Sequence, residues 1–320
     1  MTSHLAGTAC IISAVADAKQ DVSVLTEAMH DACAQSGIQV KGRFRKLGWR
    51  QHLSAVEADV IVTGNIGSAR QAIEAILPDA TDIALLADAN RRKQLLISDM
   101  DSTIIEQECL DELAAYAGIK DEIAAITARA MAGELNFEEA LLERVSRLKG
   151  LAVSALQACY REQISLMPGA TQLVRTMAAH GAHCLLVSGG FTYFTQRVAE
   201  RVGFHAHQGN VLVEDADTLS GDVVRPILGR EAKLTALDDA ATRRGLTRND
   251  CLAMGDGAND LAMIEAAGLG LAVHAKPVVA AAADAATSVA AAAFAASSCA
   301  ADAIATAAAA NVACPIAATA

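Results

Sequence analysis

Apolar positions along this chain fall into short blocks whose spacing changes from stretch to stretch. Near the amino terminus, Thr8 to Val15 is an apolar run of strand length, and Val22 to Gln35 repeats its apolar residues at helical spacing. Ile38 to Leu47 and Ala58 to Thr63 again suit strands, Ala69 to Leu77 a helix and Asp82 to Ala87 a strand. The expected order is βαββαβ. Further on, Leu95 to Ile97 reads as a parallel strand buried on both faces, and Leu185 to Val187 and Leu252 to Met254 as two more apolar strands. Between the first and second of these, residues 106 to 165 carry amphipathic helical patterns, with no strand signal and no cluster of glycine or proline. A helical insert is expected there. Asn136 followed by Glu139 forms a capping-box pair, which predicts a helix from Phe137 through Lys149.

A chain of 320 residues can hold two or three domains, each with its own core. The patterns divide it into a small α+β unit over 1–88, an α/β core over 93–105 and 166–290, the helical insert over 106–165, and an alanine-rich tail over 291–320. Asp88 to Lys93, polar and basic between two apolar runs, is the natural join between the first unit and the core. The net charge of -11 argues against a nucleic-acid partner, and Lys41, Arg43, Arg45 and Lys46 read as a solvated strand face. Cysteines at 10, 33, 109, 159, 184, 251, 299 and 314 show no metal-binding spacing and have mostly apolar neighbours. Reduced, buried thiols in a reducing compartment follow, and the start of the chain lacks an export pattern, so a cytoplasmic location is expected.

The tail departs from ordinary composition. Of the 44 residues from Pro277 onward, 24 are alanine, and no lysine or arginine follows Lys276. Three readings compete: a helix that packs Val289 and Phe294 on the sheet, the translation of a shifted reading frame, and a membrane segment, against which Asp284, Asp302 and Pro315 speak. No membrane association is expected.

Candidate chemistry sits at the ends of the apolar blocks. Asp99 and Asp101 emerge just after Leu95 to Ser98, at the carboxyl end of a strand, where open α/β sheets bind ligands. One carboxylate can attack phosphorus while the other handles the proton of the leaving oxygen, and together they offer hard oxygens to Mg²⁺. Ser188, Gly189 and Gly190 end the next strand with a hydroxyl and two amides that can approach a phosphate without Cβ interference. Lys233 starts a predicted helix, where its charge could neutralise a pentacoordinate phosphorus. Asp256, Asn259 and Asp260 lie in a glycine-flanked acidic loop after the third strand. Each fragment alone has a plain reading, as an acidic turn, a turn serine, a solvated lysine or a tight turn. Their occurrence together, in this order, points to phosphoryl transfer.

Over roughly Lys93 to Pro277 these residues resemble the haloacid dehalogenase-like phosphohydrolases, and within them the phosphoserine phosphatases. The resemblance runs through DMDST, EQECLDELA, ITARAMAGELNFEEALLERVSRLKG, VSGGF, PILGREAK, GDGANDLAM and HAKP. It implies a Rossmann-like parallel sheet with a helical cap, and Mg²⁺-dependent hydrolysis of O-phospho-L-serine through an aspartyl-phosphate, the last step of serine biosynthesis. It implies Asp99 as nucleophile and Asp101 as general acid and base. Magnesium would be held by the Asp99 carboxylate, the Asp101 backbone carbonyl and Asp256. Ser188, Gly189 and Lys233 would position phosphoryl oxygens and Asn259 would contact phosphate. Asp260 would orient Lys233 or support the metal shell. Thr103 would brace the first loop, with Ser102 and Gly190 in support.

In the cap, the resemblance implies that Glu108 and Arg144 hold the amino and carboxylate groups of the substrate, and that Met131 and Phe137 close over it. Read alone, Glu108 complements a helix dipole, Arg144 pairs with Glu138, Glu139 or Glu143, and Met131 and Phe137 are plain core. The βαββαβ order at the amino terminus resembles the ACT-type fold, which implies amino-acid binding or homodimerisation. Two alternatives stay open: a related phosphatase for another small phosphorylated metabolite, and a non-catalytic amino-acid-sensing protein.

Overall fold

The computed structural model describes residues 7–17, 21–50, 53–77, 81–131 and 134–287. Its first six elements are β1 (Thr8–Asp17), α1 (Val22–Gln35), β2 (Gln39–Arg50), β3 (Leu53–Val62), α2 (Ile66–Glu74) and β4 (Thr81–Ala87), in the expected βαββαβ order. β3 begins at Leu53 rather than Ala58, because its antiparallel partner β1 continues to Asp17 and the ladder runs on to the Asp17–Leu53 pair. α2 starts at Ile66 rather than Ala69, set by Asn65, whose side chain accepts from Ser68 N at 2.9 Å.

β5 (Leu95–Ser98) opens the next unit and is followed by four helices, α3 (Cys109–Tyr116), α4 (Lys120–Met131), α5 (Phe137–Ser146) and α6 (Val153–Gln163). Then come α7 (Ala170–Ala179), β6 (His183–Phe191), α8 (Thr192–Val202), β7 (Ala206–Asn210), β8 (Leu212–Asp215) and β9 (Thr218–Val223). The described chain closes with α9 (Arg230–Thr242), β10 (Cys251–Gly255), α10 (Leu261–Ala266), β11 (Leu269–Val273), α11 (Pro277–Ala282) and β12 (Ala285–Thr287).

One sheet of ten strands runs β2-β3-β1-β4-β12-β11-β10-β5-β6-β7. From β12 to β7 all neighbours are parallel, whereas β2, β3, β1 and β4 are antiparallel. The fold is therefore α/β with a parallel central sheet. The middles of its central strands are apolar, and both faces are covered: Leu96, Leu186 and Met254 pack on one side with α7 and α8, and Leu95, Leu185 and Ala253 on the other with α9. Phe191 and Phe194 are fully buried on the first side, each stabilising that layer by roughly 2–3 kcal/mol through burial.

The helical insert forms as expected, with α3 to α6 and no strand among them. The capping box of α5 is present in both directions, Glu139 N to Asn136 Oδ1 and Asn136 N to Glu139 Oε2, each at 2.9 Å. That helix ends at Ser146 instead of Lys149, because Gly150 takes a left-handed φ of 82° and gives its N–H to Leu219 O at 2.8 Å. Leu219 belongs to the β8–β9 hairpin, which the apolar pattern did not announce and which packs against α5.

After Pro277 a helix and a strand do follow, made largely of alanine. β12 pairs parallel with β11 and antiparallel with β4 through Ala285 and Ala84, both buried. The expected packing of Val289 and Phe294, and the shifted-frame and membrane readings of the tail, fall on 288–320, outside the described residues. Among the described residues, no helix is long and apolar enough to cross a membrane.

Candidate active site

Three adjacent strands deliver the chemistry. β10, β5 and β6 lie side by side in parallel register, Ile97 opposite both Ala253 and Leu185, so Asp99, Ser188 and Asp256 come together at the carboxyl ends of β5 and β10. Asp99 N donates to Met254 O at 3.0 Å, which continues the ladder one residue past β5 and fixes the direction of the carboxylate. Met100 N donates to Asp99 Oδ1 at 2.8 Å, leaving Oδ2 to an ion pair with Lys233 Nζ at 2.8 Å. Lys233, in the first turn of α9, is buried and also meets Asp260 Oδ1 at 2.6 Å. Burial alone would depress the lysine pKa, but Asp99 and Asp260 outweigh it and raise the value, keeping the ammonium charged.

The Asp101 side chain faces away from this pair. Its Oδ1 accepts from Cys109 N at 2.9 Å and its Oδ2 from Ser188 Oγ at 3.0 Å, and Gly190 N in turn donates to Ser188 Oγ at 2.8 Å. Desolvation, with the charges of Glu108 and Asp99 added, lifts Asp101 to about 7. Two carboxylates two residues apart thus occupy different settings, one clamped by a lysine and one able to hold a proton near neutrality.

Asp99, Asp256 and Asp260 each present a carboxylate oxygen within 4.8 Å of the others. Desolvation first, then the charge of Asp99, raise Asp256 to about 6 and Asp260 to about 7. One lysine does not balance three carboxylates, and the donor set is all hard oxygen, so the cluster suits a divalent cation of that preference. The third carboxylate is Asp260, which the sequence reading held only in support. Asp260 also accepts from Gly257 N at 3.1 Å, and Thr103 Oγ1 reaches Asp256 Oδ1 at 3.5 Å.

In the cap, Glu108 immediately precedes α3 and is solvent-exposed. Ser102, held at a left-handed φ of 52°, donates to Glu108 Oε1 at 2.8 Å. Desolvation raises the Glu108 pKa, partly offset by the Ser102 hydrogen bond and by Arg144. Half-buried Arg144 gives Nε to Ala140 O at 3.1 Å and pairs with none of Glu138, Glu139 or Glu143; burial lowers its pKa while Asp111 and Glu108 pull it back up. The Phe137 ring lies against Gly189 and Gly229, where a methyl group at Gly189 would come within 3.1 Å of Cζ and one at Gly229 within 3.5 Å of Cδ1. Asn259 is half-buried in the loop between Gly257 and Asp260. Met131 ends α4, and its side chain lies outside the described residues. Two contacts escaped the sequence reading: Cys109, whose amide holds Asp101, and Asn210, whose side chain reaches Gly189. The first depends on how the chain folds back between Asp101 and Cys109, eight residues on, and the second on two separate segments meeting, and neither carries a periodicity or motif signal.

Residues 96–265 match the family model of haloacid dehalogenase-like hydrolases, and the chain belongs to that family. Several of its relatives within the family are phosphoserine phosphatases. That of Archaeoglobus fulgidus is 45% identical over 195 residues, covering 61% of this chain and 56% of the relative, so the match spans little more than half of that protein. Among solved structures, a probable phosphoserine phosphatase from Vibrio cholerae in unliganded form aligns with a TM-score of 0.69 and 32% identity, over 90% of this chain and 85% of that one. A phosphoserine phosphatase carrying a phospho-aspartyl intermediate analogue aligns with a TM-score of 0.56 and 36% identity, over 60% of this chain and 92% of its own.

Proposed function

We propose that this chain hydrolyses O-phospho-L-serine to L-serine and phosphate through an aspartyl-phosphate on Asp99, as the last step of serine biosynthesis. The observation that carries the reading is the division of labour between Asp99, ion-paired to Lys233, and Asp101, raised to about 7 and hydrogen-bonded to Ser188. A carboxylate oxygen of Asp99 forms the new bond to phosphorus as the ester bond to the serine oxygen breaks, and Asp101 gives that oxygen its proton. Asp101, now a carboxylate, takes a proton from water. The water oxygen bonds to phosphorus, the acyl-phosphate bond breaks, and Asp99 returns.

Ser188, the Gly189 amide and Lys233 hold phosphoryl oxygens, with Asn259 at the same group and Ser102, Thr103, Gly190 and Asp260 as braces. Glu108 and Arg144 take the ammonium and carboxylate of the substrate beneath Met131 and Phe137. Mg²⁺ would be held by Asp99, Asp256 and the Asp101 carbonyl, beside Asp260, and would screen phosphoryl charge from the attacking carboxylate. Residues 106–165 act as the cap of a core over 93–105 and 166–290. The 1–88 unit is read as an ACT-like module that dimerises or binds an amino acid, supported by its βαββαβ order. Buried free cysteines at 10, 33, 109, 159, 184 and 251 support a cytoplasmic setting.

The test is phosphate release from O-phospho-L-serine with Mg²⁺ and with EDTA, beside phosphothreonine and a generic phosphate ester. Mg²⁺-dependent turnover favouring phosphoserine is expected; none from the folded protein would overturn the reading. Asp99→Asn should lose at least about a thousandfold in kcat while still binding substrate, because the amide keeps the shape but cannot attack.

A further inference from the structure

Asn210 is the last residue of β7, 2% exposed, and lies outside every motif that the sequence offers for phosphoryl transfer. Its amide makes three hydrogen bonds. Nδ2 donates to Gly189 O at 2.8 Å and to Leu228 O at 3.3 Å, and Oδ1 accepts from Leu228 N at 2.8 Å. Two acceptors and one donor face it from the main chain, a set that an amide matches and that neither a carboxylate nor a hydroxyl can satisfy.

The two segments that it joins are those that need an external clamp. Gly189 and Gly190 let the backbone approach an anion closely, but consecutive glycines give the strand end no stiffness of their own. Leu228 immediately precedes Gly229 and α9, whose first turn carries Lys233, so the position of Leu228 sets where that ammonium arrives. Between Val223 and Arg230 the chain has no regular structure to hold it. The same two segments form the surface under the Phe137 ring, which comes closest at Gly189 and Gly229.

We infer that Asn210 is a positioning residue: it locks the Ser188–Gly190 strand end to the segment that launches Lys233, so that both sides of the phosphoryl site keep one spacing. It touches no substrate atom; it acts through the Gly189 and Leu228 peptides. This rests on the proposed phosphatase reading for its kinetic test, but not for its binding test.

The experiment compares wild type with Asn210→Asp, which keeps the shape and turns an oxygen toward two carbonyls, and Asn210→Ser, which keeps at most one of the three bonds. Four quantities are read: melting temperature, kcat/KM for phosphoserine, the dissociation constant for inorganic phosphate by calorimetry, and inhibition by L-serine. The expected result is at least a tenfold weaker affinity for phosphate and at least a tenfold lower kcat/KM in both variants, with inhibition by L-serine unchanged. A lower melting temperature with wild-type phosphate affinity and kcat/KM would overturn the proposal and leave Asn210 a purely structural residue. Asn210→Ser, smaller than the native side chain, supplies the answer if Asn210→Asp does not fold. Should wild type fail to turn over phosphoserine, the function reading falls while the phosphate affinities still decide the role of Asn210.

Discussion

At the scale of single residues, the proposed choice of substrate turns on Arg144. Its side chain is half-buried, has no ion pair with the glutamates beside it in sequence, and lies close enough to Glu108 for each to shift the other's proton affinity. A guanidinium in that position is available to a planar carboxylate. Arg144→Ala should raise KM for phosphoserine by about tenfold or more, the worth of a charge-assisted hydrogen bond, and leave KM for a carboxylate-free phosphate ester nearly unchanged. Equal losses on both substrates would make Arg144 structural. His183 offers a test away from the site. Burial, then the neighbouring Arg244, His205 and Arg243 charges, push it down to about 4, and its ring stacks on His205 at 4.9 Å. The unfolded chain, with an ordinary imidazole near 6.5, binds more protons than the folded one between those values. The stability that His183 contributes is therefore complete above pH 6.5 and is lost as pH falls toward 4. His183→Gln should flatten that part of the stability profile measured by urea titration.

At the scale of elements, the site depends on strands that end together. β10, β5 and β6 are neighbours; the loops after β10 and β5 supply Asp256 and Asp260, and Asp99 and Asp101, while Ser188 lies within β6 itself. Gly255, the last residue of β10, lies against the Asp260 carboxylate so closely that a Cβ would collide with it. Gly255→Ala should push Asp260 off Lys233, destabilise the protein by about 1–3 kcal/mol through overpacking, and lower kcat at least tenfold. Thermal melting and steady-state kinetics check both halves; an unchanged kcat would show that Asp260 is not needed to place the lysine. The strand ends were legible because a block buried on both faces stands out from its surroundings, and the α5 capping box was legible because it is a local signal. The β8–β9 hairpin was not, since its strands are short and partly exposed, with only Leu212, Leu219 and Val223 buried.

Across the whole molecule, the βαββαβ unit and the core share one sheet through β4 and β12. A charged network ties the first unit to the segment that leads into β5. Glu57, buried on β3, accepts from Ser13 Oγ at 3.3 Å, pairs with Arg45 at 3.0 Å and also pairs with Arg91. Nearby, Lys93 Nζ donates to Asn249 O at 2.7 Å and Asn90 Nδ2 to the same oxygen at 3.0 Å. Glu57→Ala should destabilise the protein by about 3 kcal/mol, because two guanidinium groups lose a buried partner. Chemical denaturation measures this, and kcat at the distant strand ends should stay at the wild-type value. A loss below about 1 kcal/mol would show that the seam is held by the sheet alone.

Signals acting within a few residues were enough to set the apolar blocks, the helical insert, the caps and the order of candidate groups along the chain. Apolar runs, helical periodicity, capping pairs and glycine turns are local signals, written in neighbouring letters. Tertiary structure decided what those groups became. It set Asp99, Asp256 and Asp260 within one cluster, gave Asp101 to Ser188, and placed the unannounced Asn210 between Gly189 and Leu228. Proton affinity and coordination depend on the charges and the low-dielectric surroundings that distant segments bring together, and strand order in the folded sheet is what brings them.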